Sequence, residues 1–80
     1  MYSPEAVREL ILAALPDADV KIVSDDGVHF AGRIISEDFE GKPPVKRQMM
    51  VYAALGELMG NEIHALTMKT WTPDEFASVS

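Results

Sequence analysis

With no cysteine among its 80 residues, this chain has to close a core by apolar burial alone. A domain this short buries only about 60% of the surface its unfolded form exposes, and many small folds are reinforced by disulfides or metals. Disulfides are excluded here. So are thiolate zinc sites, a cysteine nucleophile and any self-sufficient thiolate-ligated iron–sulfur site. A metal would have to be held by histidine, carboxylate or ligands borrowed from elsewhere. The composition, 48% hydrophobic and 25% charged, fits a packed globular fold rather than a disordered chain. One domain over residues 1–80 is expected.

The hydrophobic periodicity switches between the helical and the extended period along the chain. Ser3 and Pro4 are a helix start, and Val7, Leu10, Ile11, Ala14 and Leu15 recur at three- and four-residue spacing, which predicts a first helix over 4–15. Val20 to Val23 alternates as a strand, Asp25-Asp26-Gly27 is a turn, and His29 to Ile35 is the returning strand. Phe30, Gly32 and Ile34 share one of its faces, with His29, Ala31, Arg33 and Ile35 on the other. Ser36 to Pro44 reads as the longest loop, with one helical turn at Glu37-Asp38-Phe39. A second helix is predicted from Val45 to Met59, stopped by Gly60-Asn61, followed by a third strand from Ile63 to Trp71. Thr72, Pro73 and Glu75 form a capping box for a short last helix. The order is α-β-β-α-β-α and the class α+β.

Seven basic residues against thirteen acidic ones give a net charge of −6, a field that repels nucleic-acid phosphates. No apolar run approaches the roughly 20 residues of a spanning helix, so no membrane role is expected. The start of the chain does not read as a signal peptide, and a cytoplasmic location is the default expectation. No glycine-flanked nucleophile elbow surrounds a serine, and the five glycines are scattered singly, so neither a hydrolase nor a nucleotide-binding enzyme is indicated.

The side chains that can carry chemistry are few. His29 and His64 are the only imidazoles, 35 positions apart on different strands, a spacing that is no metal motif by itself. Their ordinary use is as partly buried, hydrogen-bonded histidines, and the shared face of His64, Leu66 and Met68 agrees with that use. Lys42, Lys46 and Arg47 concentrate positive charge at the start of the second helix, which suits either an anionic partner or a solvated helix end. That helix is apolar around most of its circumference, more than one core-facing stripe requires. Trp71 fits either a core or an interface.

Phe39-Glu40-Gly41-Lys42, Val45-Lys46-Arg47-Gln48 through Val51-Tyr52, Ile63-His64-Ala65 and Thr70-Trp71-Thr72-Pro73-Asp74-Glu75 together resemble the BolA family over nearly the whole chain. Gly27-Val28-His29-Phe30 is similar to the family's hairpin, and Lys46-Arg47-Gln48 looks closer to its IbaG branch. The resemblance implies a class II KH-like fold, with a three-stranded mixed sheet covered by helices. It also implies partnership with a monothiol glutaredoxin around a shared 2Fe–2S cluster used in iron sensing or trafficking, and no catalysis. On that analogy His64 matches the family's histidine ligand, while the glutaredoxin side contributes a cysteine and a glutathione thiol. Imidazole in place of thiolate raises a cluster's potential, as in Rieske centres.

The second ligand is less defined by the resemblance. Many relatives carry His or Cys in a longer hairpin loop, whereas Ser24 to Val28 holds neither and only His29 lies nearby. A stress-linked transcriptional regulator that contacts DNA through Lys42, Lys46 and Arg47 is the alternative function. The chain lacks the Gly-x-x-Gly loop with which true KH domains clamp a nucleic-acid backbone. The isolated chain is expected as a monomer or weak homodimer.

Overall fold

Ser3 caps the first helix, its hydroxyl oxygen accepting the Ala6 N–H at 3.1 Å with Pro4 in the first turn. The structure, a computed structural model, describes residues 2–79; Met1 and Ser80, the ends of the expected domain, lie outside the described residues. Helix α1 runs Pro4–Ala14, strand β1 Asp19–Val23, β2 His29–Ile35, helix α2 Pro44–Leu55, strand β3 Ala65–Trp71 and helix α3 Pro73–Val79. A single 3-10 turn at Glu37–Phe39 punctuates the long loop.

The sheet order is β1-β2-β3. The β1–β2 hairpin is antiparallel and β2–β3 is parallel, so the sheet is mixed and β2 is its centre. A parallel neighbour demands a crossover, and the segment containing α2 supplies it. The alternation places Val20, Ile22, Phe30, Ile34 and Leu66 under the helices, where they pack with Val7, Ile11, Val51, Leu55 and the fully buried Phe39 and Ile63. Gly32 fits this inner face because Ile22 covers it: a Cβ there would lie 2.8 Å from Ile22 Cδ1. The class, element order and mixed three-stranded sheet agree with the sequence reading.

Two boundaries differ from expectation by more than one residue. Helix α2 stops at Leu55 rather than Met59, because Gly56 adopts φ +58° and the chain continues as a 3-10 turn over Gly56–Leu58. Strand β3 begins at Ala65 rather than Ile63. The N–H groups of His64 and Ala65 both converge on the Val28 carbonyl, at 2.8 and 3.3 Å, so the ladder becomes regular only beyond them. Ile63 makes only an isolated bridge to Met59 and fills the core. The surplus apolar surface of α2 divides: Val51 and Leu55 are buried, whereas Val45 and Met49 face outward. Trp71 is half-buried, its ring edge-on to Phe76 at 5.3 Å. Among the described residues no helix is long and apolar enough to cross a membrane.

Candidate metal-ligand site

The hairpin turn between β1 and β2 is organised by one carboxylate. Asp26 Oδ1 accepts the backbone N–H groups of Val28 at 2.9 Å and His29 at 2.8 Å, which is how a short Asp-Gly turn satisfies its own donors. The other oxygen, Oδ2, lies 2.8 Å from His29 Nδ1. These contacts, the backbone N–H of His29 foremost, hold the Asp26 carboxyl well below the usual carboxylate range. Ser24 braces the same turn, donating to the His29 carbonyl at 2.7 Å and accepting the Gly27 N–H at 2.9 Å.

An anionic Asp26 beside Nδ1 assigns the proton of a neutral His29 to that nitrogen and leaves the Nε2 lone pair free. The carboxylate–imidazole pair is the arrangement that orients histidine ligands at metal sites. His64 stands beside it on the neighbouring chain segment: the ring centroids are 5.8 Å apart and the planes perpendicular. Parallel pairing sets this neighbourhood, because His29 is opposite Ala65 and His64 immediately precedes it. Both imidazoles are exposed, so the expectation of partly buried histidines is corrected. His64 lies before the regular strand, where the face it would share with Leu66 and Met68 is not imposed.

Two imidazoles on one tetrahedral metal ion place their centroids about 5 Å apart, with metal–nitrogen bonds of about 2 Å. The observed centroid separation of 5.8 Å is somewhat wider than that. Among the described residues no group of three or more His, Cys, Asp or Glu is placed to hold a metal ion. The two exposed imidazoles offer two nitrogen donors at most, which is fewer than a metal site needs. Asp26 is the residue that the sequence reading missed. Its signal was the carboxylate three positions before His29 inside a turn.

The three cations predicted for an anionic partner do not stay together. Lys42 and Lys46 are exposed and, among the described residues, make no ion pair; they border a shallow dent with Met49, Met50 and Ala53. Arg47 is buried, and its assignment to a binding surface is corrected. Its guanidinium spans to Glu75 in a two-pronged contact, Nη1–Oε1 2.7 Å and Nη2–Oε2 3.0 Å, while Nε donates to the Lys42 carbonyl at 2.7 Å. Glu75 also accepts the Thr72 N–H at 3.0 Å and donates its own N–H to the Thr72 hydroxyl, the expected capping box. Arg47 thus ties α2 to the start of α3, and its carboxylate partner is lowered to about 2 by the guanidinium and the Thr72 N–H.

Comparison with known proteins agrees with this architecture. The family model described as BolA-like protein matches residues 14–75. The acid stress protein IbaG of Escherichia coli K12 is 39% identical over 72 residues, covering 89% of this chain and 84% of that protein. Among solved structures, a bolA protein homologue from Coxiella burnetii superposes with a TM-score of 0.84 at 36% identity, covering 96% of this chain and 99% of the other. The BolA domain of SufE1 from Arabidopsis thaliana does so with a TM-score of 0.80 at 32% identity, covering 90% and 93%.

Proposed function

This chain belongs to the BolA family, on its IbaG-like side, and from that premise we propose that it is a non-catalytic adaptor sharing a 2Fe–2S cluster with a monothiol glutaredoxin. The observation that carries the reading is the exposed imidazole pair, His29 and His64, in a chain with no thiol of its own. Two nitrogen donors cannot complete a cluster site. A partner that brings a cysteine and a glutathione thiol makes up the deficit. When bound, such a cluster supplies one-electron chemistry and a transferable iron–sulfur unit for iron homeostasis.

The chain's own residues have separate duties. His64 is exposed immediately before β3, where its imidazole is open to a partner. Asp26 beside Nδ1 favours the tautomer of neutral His29 that leaves the lone pair on Nε2, and the contact would keep the ring's orientation as the partner approaches. The BolA domain of SufE1 and the similarity to the acid stress protein IbaG support an adaptor used in more than one setting, here a cytoplasmic one.

Anaerobic mixing with cluster-loaded monothiol glutaredoxin tests the proposal. The expected result is a heterodimer on a sizing column whose visible absorption and circular dichroism differ from those of the glutaredoxin homodimer. Spectra identical to the homodimer, with no heterodimer, would overturn it. The alternative, a DNA-binding regulator, has less support: with Arg47 turned inward only Lys42 and Lys46 remain of its proposed contacts, on a chain of net charge −6.

A further inference from the structure

Helices α1 and α2 cover one face of the sheet, and the residues of the other face form a grid set by the strand register. Lys21 of β1 is opposite Arg33 of β2, and Arg33 is opposite Lys69 of β3. Three of the chain's seven cations therefore stand side by side across the open face, about 5 Å from strand to strand. Like charges directly opposite one another on a sheet oppose its pairing, so the row costs stability in the isolated chain. It is also poorly compensated. Among the described residues Lys21 and Lys69 make no ion pair, and Arg33 has only a loose 3.9 Å approach to Asp19.

Arg33 is the second observation. Its guanidinium lies over the Phe76 ring, 5.4 Å from the centroid, and its Nε–H is buried with no acceptor. Arg47, by contrast, has its Nε bonded to a carbonyl and both terminal nitrogens bonded to one carboxylate. The covered Nε–H is out of reach of a partner, but the side chain is 40% exposed and its only ion-pair contact is the loose one to Asp19, so its outer fork has capacity left for a carboxylate. Apolar side chains flank the row: Val23, 52% exposed, with Ala31 on one side and Trp71 on the other.

We propose that this sheet face, covered by Phe76 of α3 only at its Ile35–Trp71 end and centred on Lys21, Arg33 and Lys69, is a docking surface for an acidic, amphipathic segment of a partner protein. Carboxylates three or four residues apart on a helix lie about 5–6 Å from one another, matching the spacing of the row, and the apolar neighbours of such carboxylates meet Val23 and Trp71. Nucleic acid fits less well. Three cations are a short track for a phosphate backbone, whereas two or three carboxylates on one helix face use all of them. His29 lies on the same face, four residues from Arg33 along β2 or about 13 Å, so an occupant of the row comes within reach of the imidazole pair.

The test uses the metal-free full chain, which makes its outcome independent of the cluster reading. A synthetic amphipathic helical peptide of roughly 18 residues, about five turns, carries glutamates at i and i+4 beside leucines; a second peptide has glutamine at those positions. Both, and a single-stranded oligothymidylate, are titrated into 15N-labelled protein. The acidic peptide is expected to shift the amide signals of β1, β2 and β3 around the row and to weaken as salt rises. The doubly substituted Lys21→Glu, Lys69→Glu protein is expected to bind it at least tenfold more weakly, and Lys42→Glu, Lys46→Glu to leave it unchanged. Amide spectra of the apo variants confirm that each remains folded, and Lys69→Gln serves in place of the double variant if that one unfolds. Equal binding of the glutamine peptide, shifts centred on Lys42 and Lys46, no shift at all, or tighter binding of the oligothymidylate at the row would each overturn the proposal.

Discussion

Replacing Arg47 by alanine separates a structural cation from the surface ones beside it. The substitution removes the bond from Nε to the Lys42 carbonyl at 2.7 Å, the two-pronged contact with Glu75, and an aliphatic stem packed with the guanidinium 5.6 Å from the Phe39 ring centre. The charge-assisted bond to the carbonyl contributes about 1.5–3 kcal/mol. Half-exposed Glu75 regains water when its partner is lost, so that contact is discounted. Lost packing of the stem adds about 1 kcal/mol. The sum is about 3 kcal/mol, which for a domain of this size lowers Tm by about 12–24 °C. Urea unfolding followed by Trp71 fluorescence and by far-ultraviolet circular dichroism measures it. Lys42→Ala keeps the backbone carbonyl that Arg47 uses, and it and Lys46→Ala should both stay within about 0.5 kcal/mol of wild type. If Arg47→Ala is as stable as Lys46→Ala, the guanidinium is a solvated charge and the inward assignment is wrong.

The other expectations concern pH, ligands and the core. Glu75, lowered from the ordinary 4.5 to about 2 first by the Arg47 guanidinium and then by the Thr72 N–H, stabilises the fold above pH about 4.5 and progressively less as pH falls toward 2. The Tm difference between wild type and Glu75→Gln should therefore shrink over that window; a constant offset would show that the charge is irrelevant. In the proposed heterocomplex with a monothiol glutaredoxin, His64→Ala should abolish or alter the cluster spectrum more than His29→Ala, without unfolding the apo protein; unaltered spectra in His64→Ala would make that histidine a bystander. Asp26→Asn keeps an acceptor for the turn but loses the anion at Nδ1, and cluster affinity should fall about 10–100-fold; full affinity would confine Asp26 to the turn. Phe39→Ala empties a fully buried position and should cost about 3–5 kcal/mol in urea unfolding, with a loss below 1 kcal/mol contradicting its place in the core.

What could be read from the sequence is what local chemistry determines. Ser3-Pro4 and Thr72-Pro73-Asp74-Glu75 start helices by satisfying their own first N–H groups, and the caps form as those residue types require. The boundaries that moved are those where two local rules competed. Gly56 and Gly60 can both end a helix, and the positive φ of Gly56 acts first; Ile63 has the right side chain for a strand but is drawn into the core before the ladder begins.

Function lies on the other side of that divide. Residues 29 and 64, or 21, 33 and 69, have no sequence relation that marks them as neighbours. Only the antiparallel register of β1 and the parallel register of β3 against β2 bring the imidazoles together and line up the cations. Arg47 shows the converse. Beside Lys46 in the chain it reads as one of a cluster, yet the helix turns it toward Glu75, 28 positions away, and the local charge run dissolves. Sequence proximity thus overstated the cluster at the start of α2 and hid the row across the sheet. The central strand β2 accounts for both candidate surfaces. It carries His29 at one end and Arg33 near the other, on the face that α1 and α2 leave uncovered, so a partner large enough to cover that face would meet an imidazole and a guanidinium on one rigid element.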